Sequence, residues 1–286
     1  MIFRRAIAAS MLGLVIFPLF FSGCLSFRTS NSELKTFYET KGVQHKIDTV
    51  QTNQLSIRYV KTGQNSKNQI YFIHGSPGSL DAFLDYTIDS SLLSQSEIIS
   101  IDRPGYGYSD FGRPYVDIGE QAKYLSMVIH KENQGQKIYL VGHSYAGPVI
   151  VKMAMDYPQL IDGLLILSGS ISADHEPNED WWRGPLNRPY LRWIIPKSFR
   201  IANDEIYYLR EQLIDYELEF DNVICPVIML HGTKDWIIDW KNVEFGEKSF
   251  KKNYFEYRTD STASHFIPWT RKTWVTKAII DLVNIN

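Results

Sequence analysis

The chain reads as an α/β protein: a mostly parallel central sheet of about eight strands flanked by helices, with a small helical cap inserted after the sixth strand. Three observations lead there. Short β-branched runs alternate with segments of helical spacing along most of the 286 residues. Five of those runs carry few or no charges, as strands buried on both faces of a parallel sheet do. And the stretch between Ser168 and Asn222 interrupts the alternation with no strand pattern of its own.

The runs that read as strands are His45–Val50, Leu55–Lys61, Gln69–Ile73, Ile98–Asp102, Ile138–Gly142, Leu164–Leu167, Val227–Leu230 and Tyr254–Arg258. No helix separates the first two, so an antiparallel lead-in is expected there. Helical spacing is plainest in Ile118–His130, where Ile118, Ala122, Leu125 and Ile129 share one face. Pro148–Tyr157, Val243–Phe250 and Thr270–Val283 are further helices by the same test. Strand then helix, repeated, means a sheet wrapped by helices. The interrupting stretch is rich in aromatic residues (Trp181, Trp182, Tyr190, Trp193, Tyr207, Tyr208), and so long a loop inside a compact domain is usually a functional insertion. The organisation expected is therefore a core of residues 43–170 and 221–286, with a helical cap over 171–220. Whether the cap aromatics line a substrate site or form the cap's own core stays open at this stage.

Composition narrows the function. Hydrophobic residues make up 44% and charged residues 22%, and the formal net charge is −2 with no run of like charges. Nothing there suits nucleic acid. The two cysteines, Cys24 and Cys225, lie in segments of different kind and offer neither a disulfide nor a metal-ligand spacing. No metal or organic cofactor is expected.

The first residues read as an address. Arg4 and Arg5 precede an uncharged, mostly apolar run from Ala6 to Gly23, the pattern of an export signal. The junction Phe21-Ser22-Gly23-Cys24 resembles the lipobox of bacterial lipoproteins, which more often has leucine where Phe21 stands. That resemblance implies removal of residues 1–23, lipidation of Cys24, a tether over 24–42, and a place in the bacterial cell envelope on the side away from the cytoplasm. An uncleaved membrane anchor is the other reading, and the arginines favour the same orientation. Removing 1–23 takes two of the 30 basic residues and none of the 32 acids, which leaves a net charge of −4. Such a body has no electrostatic attraction to anionic lipid, so an anchor must hold it.

The chemistry begins at Lys137-Ile-Tyr-Leu-Val-Gly-His-Ser-Tyr-Ala-Gly147. A buried strand runs into a turn with small residues two before and two after Ser144, and a helix follows. Such a turn lifts the serine hydroxyl clear of the backbone, as in a nucleophile elbow. Here the chain, from about Gln44 onward, resembles the α/β-hydrolase family. The family consensus G-x-S-x-G ends in glycine where this chain has Ala146. A serine hydroxyl needs a base and a group to orient that base, and in this family they follow in the order Ser, acid, His. Asp235, at the end of the strand Val227–Leu230 and its turn, and His265, in Ser264-His-Phe-Ile-Pro-Trp269, fit that order. Asp174 is a minor alternative for the acid; Asp239 and Asp260 read as turn or capping residues, and His74, His143 and His231 as scaffold.

The loop His74-Gly-Ser-Pro-Gly-Ser79 is similar to the family's H-G-x-P-G loop. The resemblance assigns the backbone amides of Ser76 and Tyr145 to an oxyanion hole. Asp102-Arg-Pro-Gly-Tyr-Gly-Tyr-Ser-Asp110 is similar to a loop that braces that side, and no chemistry is assigned to it. The expected activity is hydrolysis of a small-molecule acyl substrate, a carboxylic ester first. A prolyl-iminopeptidase-like aminopeptidase and a carbon–carbon bond hydrolase are the alternatives. A non-catalytic binder on the same scaffold would lack a triad member, and none is missing.

Overall fold

The structure is a computed structural model and describes residues 27–252 and 254–285. Residues 1–23, read above as a signal, and Cys24 lie outside the described residues. Eight strands form one sheet: β1 (His45–Gln51), β2 (Ser56–Thr62), β3 (Asn68–Ile73), β4 (Glu97–Ile101), β5 (Lys137–His143), β6 (Gly163–Leu167), β7 (Val227–Gly232) and β8 (Phe255–Asp260). Their spatial order is β1-β2-β4-β3-β5-β6-β7-β8. β1 with β2, and β2 with β4, pair antiparallel; every other neighbour is parallel.

Period-2 alternation divides the sheet's side chains between two cores. Tyr71, Ile73, Leu140, Leu164, Ile166 and Met229 face helices Ile118–Glu132 and Ala146–Asp156. Ile70, Phe72, Val141, Leu165 and Leu230 face helix Lys272–Val283 and the turns carrying Phe83 and Tyr86. Both faces of the central strands are thus apolar, which is why these runs carry few charges. Asp117 caps the first of these helices by accepting from the Glu120 amide at 2.7 Å.

One expectation is corrected. The stretch read as a tether is helical over Asn31–Lys41, with a capping box between Ser30 and Glu33 and Gly42 left-handed at its end. Its Leu34 and Tyr38 are buried against Val60 and Leu80. Leu34 and Tyr38, four apart, with Phe37 partly buried beside them, dock an otherwise polar helix. Between β6 and β7 lie helices Asp180–Leu186, Pro189–Arg192, Lys197–Tyr207 and Leu209–Tyr216, with no strand among them. Among the described residues, no helix is long and apolar enough to cross a membrane.

Candidate active site

Three chain segments converge at the carboxyl edge of the parallel strands, where ligands bind in sheets of this kind. β5 ends at His143, and Ser144 follows with φ 57°, a left-handed backbone that few non-glycine residues adopt. Its amide donates to the Leu167 carbonyl at 2.9 Å and its carbonyl accepts from Gly147 at 2.9 Å, so both neighbours hold the bend. A Cβ at Gly147 would come within 2.9 Å of Gly169, and one at Gly142 within 2.7 Å of the Ala146 carbonyl. Glycine is needed at both places; Ala146, at the first turn of the helix, is fully buried without preventing the bend.

Asp235 sits in the turn after β7. Its Oδ1 accepts from the Ile237 and Ile238 amides, each at 2.9 Å. Its Oδ2 accepts from His265 Nδ1 at 2.8 Å and lies 3.2 Å from His231 Nε2. Burial alone would raise this carboxyl, but the donors His231 and His265 hold it well below the usual carboxylate range. A carboxylate that stays ionised accepts the proton that His265 carries on Nδ1. His231 Nε2 also faces the Ile238 carbonyl at 3.2 Å, so its proton is on that nitrogen. The sequence carries no sign of this second histidine on the acid beyond its i,i+4 spacing.

His143, beside the serine, packs its ring 4.7 Å from that of His265, and its Nε2 lies 3.0 Å from the His265 carbonyl. Burial, with the neighbouring His265, pushes it down to about 3, so it is a neutral support. Asp174 is exposed and forms no contact with His265, Asp239 accepts from the Lys241 amide, and Asp260 binds Thr262 and Arg271.

The loop after β3 brings Gly75 against the elbow: a Cβ there would lie 3.0 Å from Ser144 Cβ. Ser76 Oγ donates to Glu205 Oε2 at 2.6 Å and lies 2.7 Å from the Tyr106 hydroxyl. Arg103, fully buried, grips the same loop through the His74 carbonyl at 2.8 Å and the Gly75 carbonyl at 3.1 Å. Arg103 also pairs with Glu205 at 2.7 Å, and Gln121 binds both. Glu205 belongs to helix Lys197–Tyr207, so a buried ion pair ties the inserted helices to the loop after β3. Arg58 and Asp102, another buried pair at 2.7 Å, hold the loop after β4; a Cβ at Gly107 would strike the Asp102 carboxyl. Sequence reading missed Glu205, because nothing in a helix of mixed polarity marks which acid turns inward.

Ser144, His265, His74, Gly75, Ser76 and Tyr145 all line one cavity of about 1020 Å³. Its other walls are mostly apolar, with Trp182, Ile206 and Leu209 from the inserted segment. Of the aromatic residues in that segment, Trp182 faces the cavity, whereas Trp181, Tyr190 and Trp193 are exposed. Glu176 also lines it; burial raises its carboxyl to about 7, against a hydrogen bond from Ser170.

Comparisons with known proteins agree with this architecture. A family model described as alpha/beta hydrolase fold matches residues 68–193. The dihydrolipoyllysine-residue acetyltransferase component of the acetoin cleaving system of Cupriavidus necator is 27% identical over 161 residues, 56% of this chain and 42% of that protein. A proline iminopeptidase of Saccharolobus solfataricus is 29% identical over 120 residues, 41% of this chain and 38% of that one. The chain thus spans about four-tenths of the length of these relatives. Among solved structures, a bacterial membrane phospholipase A superposes with TM-score 0.68 at 19% identity, covering 99% of this chain and 98% of that one. A putative lipase of Acinetobacter baumannii superposes with TM-score 0.67 at 16% identity, covering 89% and 96%. Together with the strand order and the elbow, these likenesses identify the architecture: the chain has the α/β-hydrolase fold.

Proposed function

We propose that the protein is a serine hydrolase that cleaves a carboxylic ester or related acyl bond. The reading rests above all on one observation: an imidazole hydrogen-bonded to a buried carboxylate opens on the same cavity as a serine in a left-handed bend. His265 Nε2 takes the Ser144 proton, the alkoxide attacks the substrate carbonyl, and the Ser76 and Tyr145 amides hold the oxyanion. Departure of the alcohol with a proton from His265 leaves an acyl-enzyme. Water, deprotonated by the same histidine, then releases the acid. The phospholipase and lipase likenesses support an ester substrate, and the apolar cavity walls support an apolar acyl group.

A fluorophosphonate probe should label Ser144 and no other residue. Ser144→Ala should lose roughly 10⁴-fold or more of the turnover of a nitrophenyl ester; undiminished turnover would overturn the assignment. The proline iminopeptidase likeness and the carboxyl of Glu176 in the cavity favour a second reading, release of an N-terminal residue, and prolyl amides beside esters in one substrate panel decide between them.

The address is part of the proposal. Arg4 and Arg5, the apolar run and the small residues before Cys24 support a lipid anchor at Cys24 and a place in the cell envelope. Incorporation of labelled palmitate that Cys24→Ala abolishes is the expected result; incorporation unchanged by that substitution would refute it.

A further inference from the structure

We infer that the mouth of the cavity is a membrane-docking face, turned toward the bilayer that holds the N-terminal anchor. The inference rests on the anchor proposed above. It deepens the hydrolase reading by giving the substrate a source, an acyl lipid dissolved in that bilayer.

Phe27 lines the cavity and packs its ring 5.9 Å from that of Phe199 on helix Lys197–Tyr207. Arg28 lies over the rings of Tyr108 and Phe111, at 4.1 and 4.5 Å. Thr29 Oγ1 donates to Asp81 at 2.7 Å, and its carbonyl accepts from Arg58, itself locked to Asp102. With the docked helix Asn31–Lys41 behind them, these contacts make the lead-in a fixed strap that ends at the cavity mouth. Three peptide links separate Phe27 from Cys24, a reach of about 11 Å at most. Any membrane-bound group at residue 24 therefore lies beside the mouth.

The mouth itself suits that neighbour. Phe27, Phe199, Trp236, Ile237, Phe266 and Trp269 all line the cavity and are between 36% and 78% exposed. They come from four separate segments, so chain connectivity alone does not gather them. An apolar rim gathered around one cavity from separate segments marks an interaction surface, and Trp and Phe side chains suit the bilayer interface. A body with a net charge of −4 after removal of residues 1–23 has no general attraction to anionic lipid. Insertion of the rim into a neutral interface needs none. Docked this way, the cavity opens into the lipid, and an acyl chain passes from bilayer to Ser144 without crossing water.

The test uses the full chain reconstituted in phosphatidylcholine vesicles, with and without bromine on the acyl chains. Subtracting the emission of Trp236→Phe isolates Trp236 at the rim. Lys67→Trp places a reporter at the opposite edge of the sheet, beside the start of β3. Loss of most of the Trp236 emission in brominated vesicles, with the reporter at 67 unquenched, is the expected result. Unquenched Trp236 in protein that floats with the vesicles, quenching at 67 instead, or failure to float overturns the inference. So does concentration-dependent self-association that buries Trp236 without vesicles, which would make the rim a contact between copies. No turnover enters the readout, and Ser144→Ala must dock as the unaltered chain does, so failure here is distinct from failure of the hydrolase reading.

Discussion

The parallel strands and the helices inserted after β6 are held by opposite means. Every residue of β6 is buried, and β3 keeps five of its six inside, among apolar neighbours on both faces. In the insertion, helices Asp180–Leu186 and Pro189–Arg192 bury no residue at all. Helix Lys197–Tyr207 turns inward, and four of its six buried residues are polar: Ser198, Asn203, Asp204 and Glu205; helix Leu209–Tyr216 adds only Leu209 and Leu213 to the apolar core. Asp204 pairs with Arg192, Asn203 joins Arg183 and Asn187, and Glu205 reaches Arg103 and Ser76. Apolar packing is non-directional and spreads over many contacts; a buried ion pair is directional and concentrated. The position of the insertion over the cavity thus depends on a small apolar patch and a few directional contacts, and one of these acts on the loop that carries Ser76.

The largest expected effect follows from that concentration. Glu205→Ala leaves the Arg103 charge buried without its partner and should cost about 3–5 kcal/mol of stability, read by chemical denaturation. Arg103→Met with Glu205→Leu should restore most of it, whereas equal losses in single and double variants would break the comparison. In the core, Ile166→Val, at a fully buried β6 position, should cost about 0.5–1.5 kcal/mol, because many neighbours share the loss.

Glu176 gives the third test, a slope against pH. Its folded carboxyl is raised from 4.5 to about 7, so the folded state binds the proton more tightly than the unfolded one. That contribution is fully present below pH 4.5 and is lost as the pH rises through 7. Glu176→Gln should flatten the decline in stability across this window, and an unchanged slope would assign the decline elsewhere. The smallest effect belongs to Trp181, exposed on a helix with no buried residue. Trp181→Ala should change stability by less than about 0.5 kcal/mol; a larger loss would mean that the outer helices are packed after all.

The strands were legible because burial on both faces excludes charge, and that exclusion shows in Ile70–Ile73 or Leu164–Leu167 without knowledge of any neighbour. The elbow was legible for a local reason too: small residues around Ser144 are what a sharp strand-to-helix turn requires. The chain order of Ser144, Asp235 and His265 was readable, and so was the glycine-bearing loop His74–Ser79 that meets the elbow. The lead-in was misread, because Leu34, Phe37 and Tyr38 are too few to show periodicity in the mostly polar stretch over 24–42. The cap aromatics could not be sorted from sequence, since composition says nothing of which way Trp181 and Trp182 point.

By itself, then, the sequence determined the elements, the parallel core and the three residues proposed for catalysis, all of which depend on interactions within short spans or on the sign of burial. Only the tertiary structure decided that His231 stands behind Asp235 and that Glu205 fastens the insertion to the loop of Ser76. Those are meetings of polar or isolated groups up to 129 positions apart. A single charged or aromatic side chain leaves no periodic trace of its partner, so the fold had to bring the two together before either could be read.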